Sequence, residues 1–105
     1  MIILHKITNN EISYGMNKEK ETIQELLEKG FDSVYAWYDG PGGVHPDHEH
    51  PFMSTHVVLE GQMTVFVDSR EIVYKEGDSF DIPAKKIHRA KIGPLGCKYV
   101  IAEKY

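Results

Sequence analysis

Three of the chain's six histidines fall within one short segment, His45-Pro46-Asp47-His48-Glu49-His50. A fourth, His56, opens the next apolar run, and a fifth, His88, lies far downstream. Imidazole is the side chain best suited to borderline metals such as zinc, iron, nickel and copper. His48 and His50 are two apart, so on a strand they point to the same side. Such a pair needs one or two further ligands from elsewhere in the fold, and His56 and His88 are the obvious suppliers. His45 precedes a proline and is expected to be extended. It could line the mouth of a site or act as an alternative ligand. His5, near the chain start, reads as a surface residue.

The elements that must position these residues follow from the pattern. Ile2-Ile3-Leu4-His5-Lys6 reads as a short strand, stopped by Thr8-Asn9-Asn10. A helix follows, with Asn17 as a candidate N-cap, Ile23, Leu26 and Leu27 as its apolar stripe and Gly30 as its left-handed terminator. After Gly30 the texture changes. Val34-Tyr35-Ala36-Trp37-Tyr38, His56-Val57-Val58-Leu59-Glu60, Met63-Thr64-Val65-Phe66-Val67, Glu71-Ile72-Val73-Tyr74, Phe80-Asp81-Ile82, His88-Arg89-Ala90-Lys91-Ile92 and residues 98–103 read as strands. Asp39-Gly40-Pro41-Gly42-Gly43, Gly61, Asp68-Ser69-Arg70, Gly77, Pro83 and Gly93-Pro94-Leu95-Gly96 read as the turns between them. Seven or eight short strands at this spacing predict an all-β sandwich or barrel and one domain over residues 1–105, with strand and helix in 1–30 and barrel in 31–105.

Two patterns refine this. His88, Ala90 and Ile92 share one strand face while Arg89 and Lys91 share the other, so His88 should point inward. Val57-Val58-Leu59 is apolar on both faces, so Val57 and Leu59 must be covered from outside. The cover is either the helix or a second copy of the chain, and a homodimer is expected on that ground.

With 105 residues, 41% hydrophobic and 27% charged, the chain suits one ordinary core. A net charge of −4 without a basic stripe argues against nucleic acid. The apolar runs are too short to span a membrane or to form a signal-peptide core, and a cytoplasmic setting is expected. The single cysteine, Cys97, reads as a small core residue.

Together these residues resemble the cupin superfamily, whose double-stranded β-helix (jelly-roll) barrels carry two short motifs. Gly43 followed by His48-Glu49-His50, and Gly61, match the first; Gly77, Pro83 and His88 match the second. The motifs cover residues 43–92, and the strand pattern extends the likeness to about 31–103. The resemblance implies a bound divalent transition metal (Zn, Fe, Ni, Mn or Cu) with His48, His50 and His88 among its ligands. Three positions depart from the pattern. Ser54 stands where the family has a ligating glutamate, Lys85 replaces a glycine and Ile92 an asparagine. His56 shares the face of Ser54 one strand repeat away, about 6–7 Å, and is the expected fourth ligand if a bulge near Pro51-Phe52-Met53 shifts it.

What the resemblance implies about activity is open between a metal-dependent enzyme of oxygenase or isomerase type acting on a small molecule, a small-ligand or metal sensor, and a barrel whose metal is only structural. No general base stands out beside the ligands, and Glu49 alternates away from them.

Overall fold

Two long strands dominate the chain. In the computed structural model, which describes residues 17–105, β3 (Met53–Val67) and β6 (His88–Lys104) lie antiparallel from Met53↔Lys104 to Val67↔His88. The other described elements are a helix, α1, over residues 17–28, and the shorter strands β1 (Ser33–Asp39), β2 (Val44–His48), β4 (Arg70–Lys75) and β5 (Ser79–Ile82). The expected strand at residues 2–6 and its turn at 8–10 lie outside the described residues. Asn17, the candidate N-cap, is the first described residue and is itself helical, while Gly30 takes the expected left-handed conformation with φ +93°.

The strand count corrects the sequence reading. Gly61 and Gly93-Pro94-Leu95-Gly96 do not separate strands; they are corners within β3 and β6. Pairing slips between Val58 and Glu60 and again between Gly61 and Met63, and Gly61 sits opposite Cys97. Both strands bend at one place, so each contributes to two sheets. The first half of β3 and the second half of β6 are flanked by β5 and β1. The other halves are flanked by β4 and β2. The two four-stranded layers face each other, which is the expected double-stranded β-helix architecture.

Alternation then fills the interior. Val58, Met63, Val65, Ile82, Ile92, Cys97 and Tyr99 form one buried cluster between the layers, with Phe80 and Ile101 packed against it. Burial pushes the Cys97 thiol up to about 11, consistent with a packing role. A second cluster lies on the outer face of the β1/β6/β3 layer, where Leu26 of α1 meets Leu59, Val100 and Ala102, flanked by Ile23 and Val57. The helix therefore covers Val57 and Leu59, and the double-sided apolar run is accounted for within one chain. Leu27 turns out half exposed, off the helix's buried stripe. Lys98 on β6 holds Glu19 of α1 at 2.7 Å, a further tie between helix and sheet. No described helix is long and apolar enough to cross a membrane.

The β3–β4 hairpin turns on Asp68 and Ser69, both with positive φ (52° and 63°) between the paired Val67 and Arg70. Two positive φ values match the turn to the right-handed twist of the strands.

The corner depends on a residue without a side chain. Gly61 has φ +77°, and a Cβ there would overlap the Gly96 carbonyl oxygen. Gly61→Ala should cost more than about 2 kcal/mol and lower the thermal midpoint by roughly 10 °C. Gly77→Ala is the comparison: φ is +90° there too, but nothing lies within 4 Å, and about 1 kcal/mol is expected. Equal losses in calorimetry would contradict the role given to the corner.

Candidate metal centre

His48 ends β2, His50 follows in the connection to β3, and His88 begins β6. After a register shift in β2 between His45 and His48, His48 pairs directly with His88. The Lys85 N–H donates to the His50 carbonyl at 2.7 Å, fixing the backbone on the third side. Lys85 has φ +63°, so this turn keeps the glycine-like conformation although the glycine itself is absent.

One potential ligand nitrogen from each of His48, His50 and His88 lies within 4.8 Å of the others. The ring centroids of His48 and His88 are 4.2 Å apart, those of His48 and His50 4.8 Å, and those of His50 and His88 5.1 Å. Two rings are oriented from behind. His48 Nδ1 donates to the Pro46 carbonyl at 2.7 Å, and His88 Nδ1 to the Lys86 carbonyl at 2.8 Å. A carbonyl only accepts, so both Nδ1 atoms carry the proton and both Nε2 lone pairs are free. His50 Nε2 is buried and has no hydrogen-bond partner among the described residues. A buried polar atom left this way is costly unless something fills the site. The three residues thus fit a metal ion: three imidazoles, converging, with their tautomers largely set.

Electrostatics favour the neutral, ligating form. Burial lowers the His50 pKa, and charge on His48 or His88 would lower it further. Burial likewise lowers that of His88, with the Lys86 carbonyl opposing. Protons therefore compete less for this site than for exposed histidines.

The triad opens on a cavity of about 110 Å³, whose walls include Met63, Val65, Phe80, Ile101 and Tyr99. A larger hollow, about 410 Å³, lies elsewhere, lined by residues such as Phe66, Asp68, Arg70 and Arg89 and by no histidine. Arg89 stacks on Phe66 there, with its guanidinium carbon 4.2 Å from the ring centroid. Size alone does not locate the chemistry; the donor set does.

His56 and His45 line the same cavity as the triad. His56, expected as a fourth ligand, lies outside the three-residue group. Its ring stacks on Phe80, its cross-strand partner, at 4.7 Å and 2°. Pairing of β3 with β6 runs unbroken from Met53 to Val58, so no bulge within this stretch carries His56 forward. Burial pushes its pKa down to about 3, and Nδ1 has no partner among the described residues.

His45 Nε2 lies 2.7 Å from Asp39 Oδ2, which also accepts the Tyr99 hydroxyl at 2.6 Å. Trp37 Nε1 donates to the other oxygen at 3.1 Å. Burial alone would raise the Asp39 pKa; the hydrogen bonds from Tyr99, His45 and Trp37 outweigh it and hold it low. Burial and then Asp39 hold Tyr99 protonated. Asp39 is the residue the sequence reading assigned only to a turn. Its signal was the alternation Tyr35, Trp37, Asp39, which puts it on the inner face of β1.

Comparisons with known proteins agree with this fold. The family described as "Cupin domain" matches residues 37–93. Quercetin 2,3-dioxygenase of Bacillus subtilis is 38% identical over 56 residues, which are 51% of this chain and 17% of that enzyme. The chain thus spans less than a fifth of that relative. Among solved structures, an RmlC-like cupin from Shewanella frigidimarina superposes with a TM-score of 0.61 at 27% identity, over 67% of this chain and 62% of that one. A DMSP lyase from Ruegeria pomeroyi gives 0.64 at 18% identity, over 69% and 37%, and shares the fold.

His56 also makes a prediction for the metal-free protein. Folded, it stays neutral down to about pH 3; unfolded, it takes a proton near 6.5. In between the unfolded state binds more protons, so stability falls as pH drops from 6.5 toward 3, by up to about 1.4 kcal/mol per unit. His50 and His88 add in the same direction. His56→Phe should flatten that slope in denaturant titrations between pH 6.5 and 4; an unchanged slope would show that His56 is not held neutral.

Proposed function

The chain belongs to the cupin-domain family, and from that premise we propose that it is a metal-dependent enzyme acting on the reactive end of a small molecule, of oxygenase or isomerase type. The observation that carries the reading is the convergence of His48, His50 and His88 on a cavity whose other walls are largely apolar. Three imidazoles suit a divalent transition metal, with zinc, iron, nickel, manganese and copper all compatible. A metal so held, with coordination positions left open, supplies Lewis acidity or, if redox-active, access to dioxygen chemistry.

The cavity limits the substrate. At about 110 Å³ it has the volume of roughly three or four waters. A large aromatic substrate would not fit inside; only its reacting end would enter. Met63, Val65, Phe80 and Ile101 exclude water and weaken competing solvation there. Tyr99, protonated and anchored on Asp39, fixes one polar point of the wall. His45 is oriented by the same carboxylate, as a general base in a His–Asp pair is. It is the group placed to accept or return a proton. This base, absent from the sequence reading, brings proton-transfer reactions level with oxygenation.

Metal content of protein purified without an affinity tag tests the centre. The wild type should retain close to one metal per chain, and His50→Ala or His88→Ala should lose it. Metal at a hundred times its Kd should stabilise the wild type by about 2.7 kcal/mol and leave His88→Ala unmoved. A panel of small carbonyl, enol and dicarbonyl compounds, followed by oxygen uptake and proton NMR, tests turnover. His45→Gln should keep the metal and lose most of any activity found. Full turnover by metal-free protein would end the metal-dependent reading, and no turnover of any compound by metal-loaded protein would count against the enzyme reading.

A further inference from the structure

Ser54 stands where the resemblance places a ligating carboxylate, and its surroundings say what replaces it. It is 1% exposed, and its Oγ has no hydrogen-bond partner among the described residues. A hydroxyl buried without a partner costs stability unless the space beside it is used. Across the β3–β6 ladder Ser54 is paired with Glu103. Residues directly opposite on an antiparallel pair share a face, with Cβ atoms about 4.5–5.5 Å apart.

The face concerned is the inner one. Along β6 the alternation Cys97, Tyr99, Ile101 puts Glu103 next on the same side, and Tyr99 and Ile101 line the histidine cavity. Glu103 is half-buried there. Its carboxylate is electrostatically coupled to His50, opposing the effect of burial on that ring. Its side chain is held only loosely, since the Tyr105 hydroxyl donates to it at 3.5 Å, the limit of a hydrogen bond. The Glu103 carboxylate stands outside the group formed by the three histidine nitrogens. Three side-chain torsions separate it from them, and the short Ser54 side chain leaves the path open. A glutamate at both positions would set two like charges opposite each other, which is destabilising. Serine at 54 and glutamate at 103 are therefore complementary choices.

We infer that Glu103 supplies, from the neighbouring strand, the carboxylate ligand that the chain lacks at Ser54, completing a three-histidine, one-carboxylate centre for a divalent transition metal. The inference rests on the metal-centre reading above and goes beyond it. The ligand moves one strand over, its charge is kept, and His56 stays in the wall.

Calorimetric titration with cobalt(II), together with visible absorption of the bound ion, tests this on the full chain. Glu103→Gln should weaken cobalt binding at least tenfold and shift the absorption bands. Adding Ser54→Glu to Glu103→Gln should restore both, and His56→Gln should change neither. Unchanged affinity and spectrum in Glu103→Gln, with binding abolished in His88→Ala, would overturn the Glu103 assignment alone. A loss in His56→Gln with none in Glu103→Gln would overturn it in favour of His56. Equal binding by wild type and His88→Ala would overturn the histidine centre, and this assignment with it. Melting curves of each metal-free variant separate ligand loss from misfolding, and restoration by Ser54→Glu cannot arise from a folding defect.

Discussion

The pairing of β3 with β6, and their shared bend at Gly61 and Gly96, is the constraint on which the rest depends. Two strands that bend together turn one hydrogen-bonded sheet into two facing layers without a new edge. The inner faces then close on an apolar core, and the outer face of one layer is left for α1. The same pair carries the residues that matter chemically. His88 starts β6 and Glu103 lies near its end, while Ser54 and His56 lie in the first half of β3. Moving the register of this pair by one residue would turn every one of them to the opposite face.

The centre is prepared before anything binds. Backbone carbonyls of Pro46 and Lys86 fix two imidazoles from behind, and burial lowers the pKa of His50 and His88. Little reorganisation is left for the moment of binding, which is the general source of tight and selective sites. A second polar set, Asp39 with His45, Trp37 and Tyr99, stands beside the first. It joins β1, β2 and β6 through one carboxylate. Its members are satisfied by one another, which lets a half-buried charge persist behind His45 and Tyr99.

Much of this was legible in the residues. The spacing of His48, His50 and His88 with Gly43, Gly77 and Pro83 carried both family and donor set. Alternation in His88-Arg89-Ala90-Lys91-Ile92 gave the inward direction of His88, and the apolar run at Val57-Val58-Leu59 demanded a cover that α1 provides. What could not be read was cross-strand register. Gly61 and Gly93–Gly96 carry turn chemistry, and only the pairing of their strands makes them corners. His56 shares a face with Ser54, but its stacking on Phe80 follows from β5 lying alongside. Asp39 and Glu103 are ordinary acidic residues at strand ends. Their importance comes from Tyr99 and Ser54, partners sixty and forty-nine positions away, and no local pattern holds that information. Lys85 shows the converse: the residue changed, and the backbone conformation remained.

Anomalous diffraction from crystals of metal-loaded protein, at the absorption edge of the ion, tests the central claim most directly. A single strong peak about 2.0–2.3 Å from Nε2 of His48, His50 and His88 together is the expected result. A peak bound elsewhere, or held by His45 without His88, would contradict the three-histidine centre.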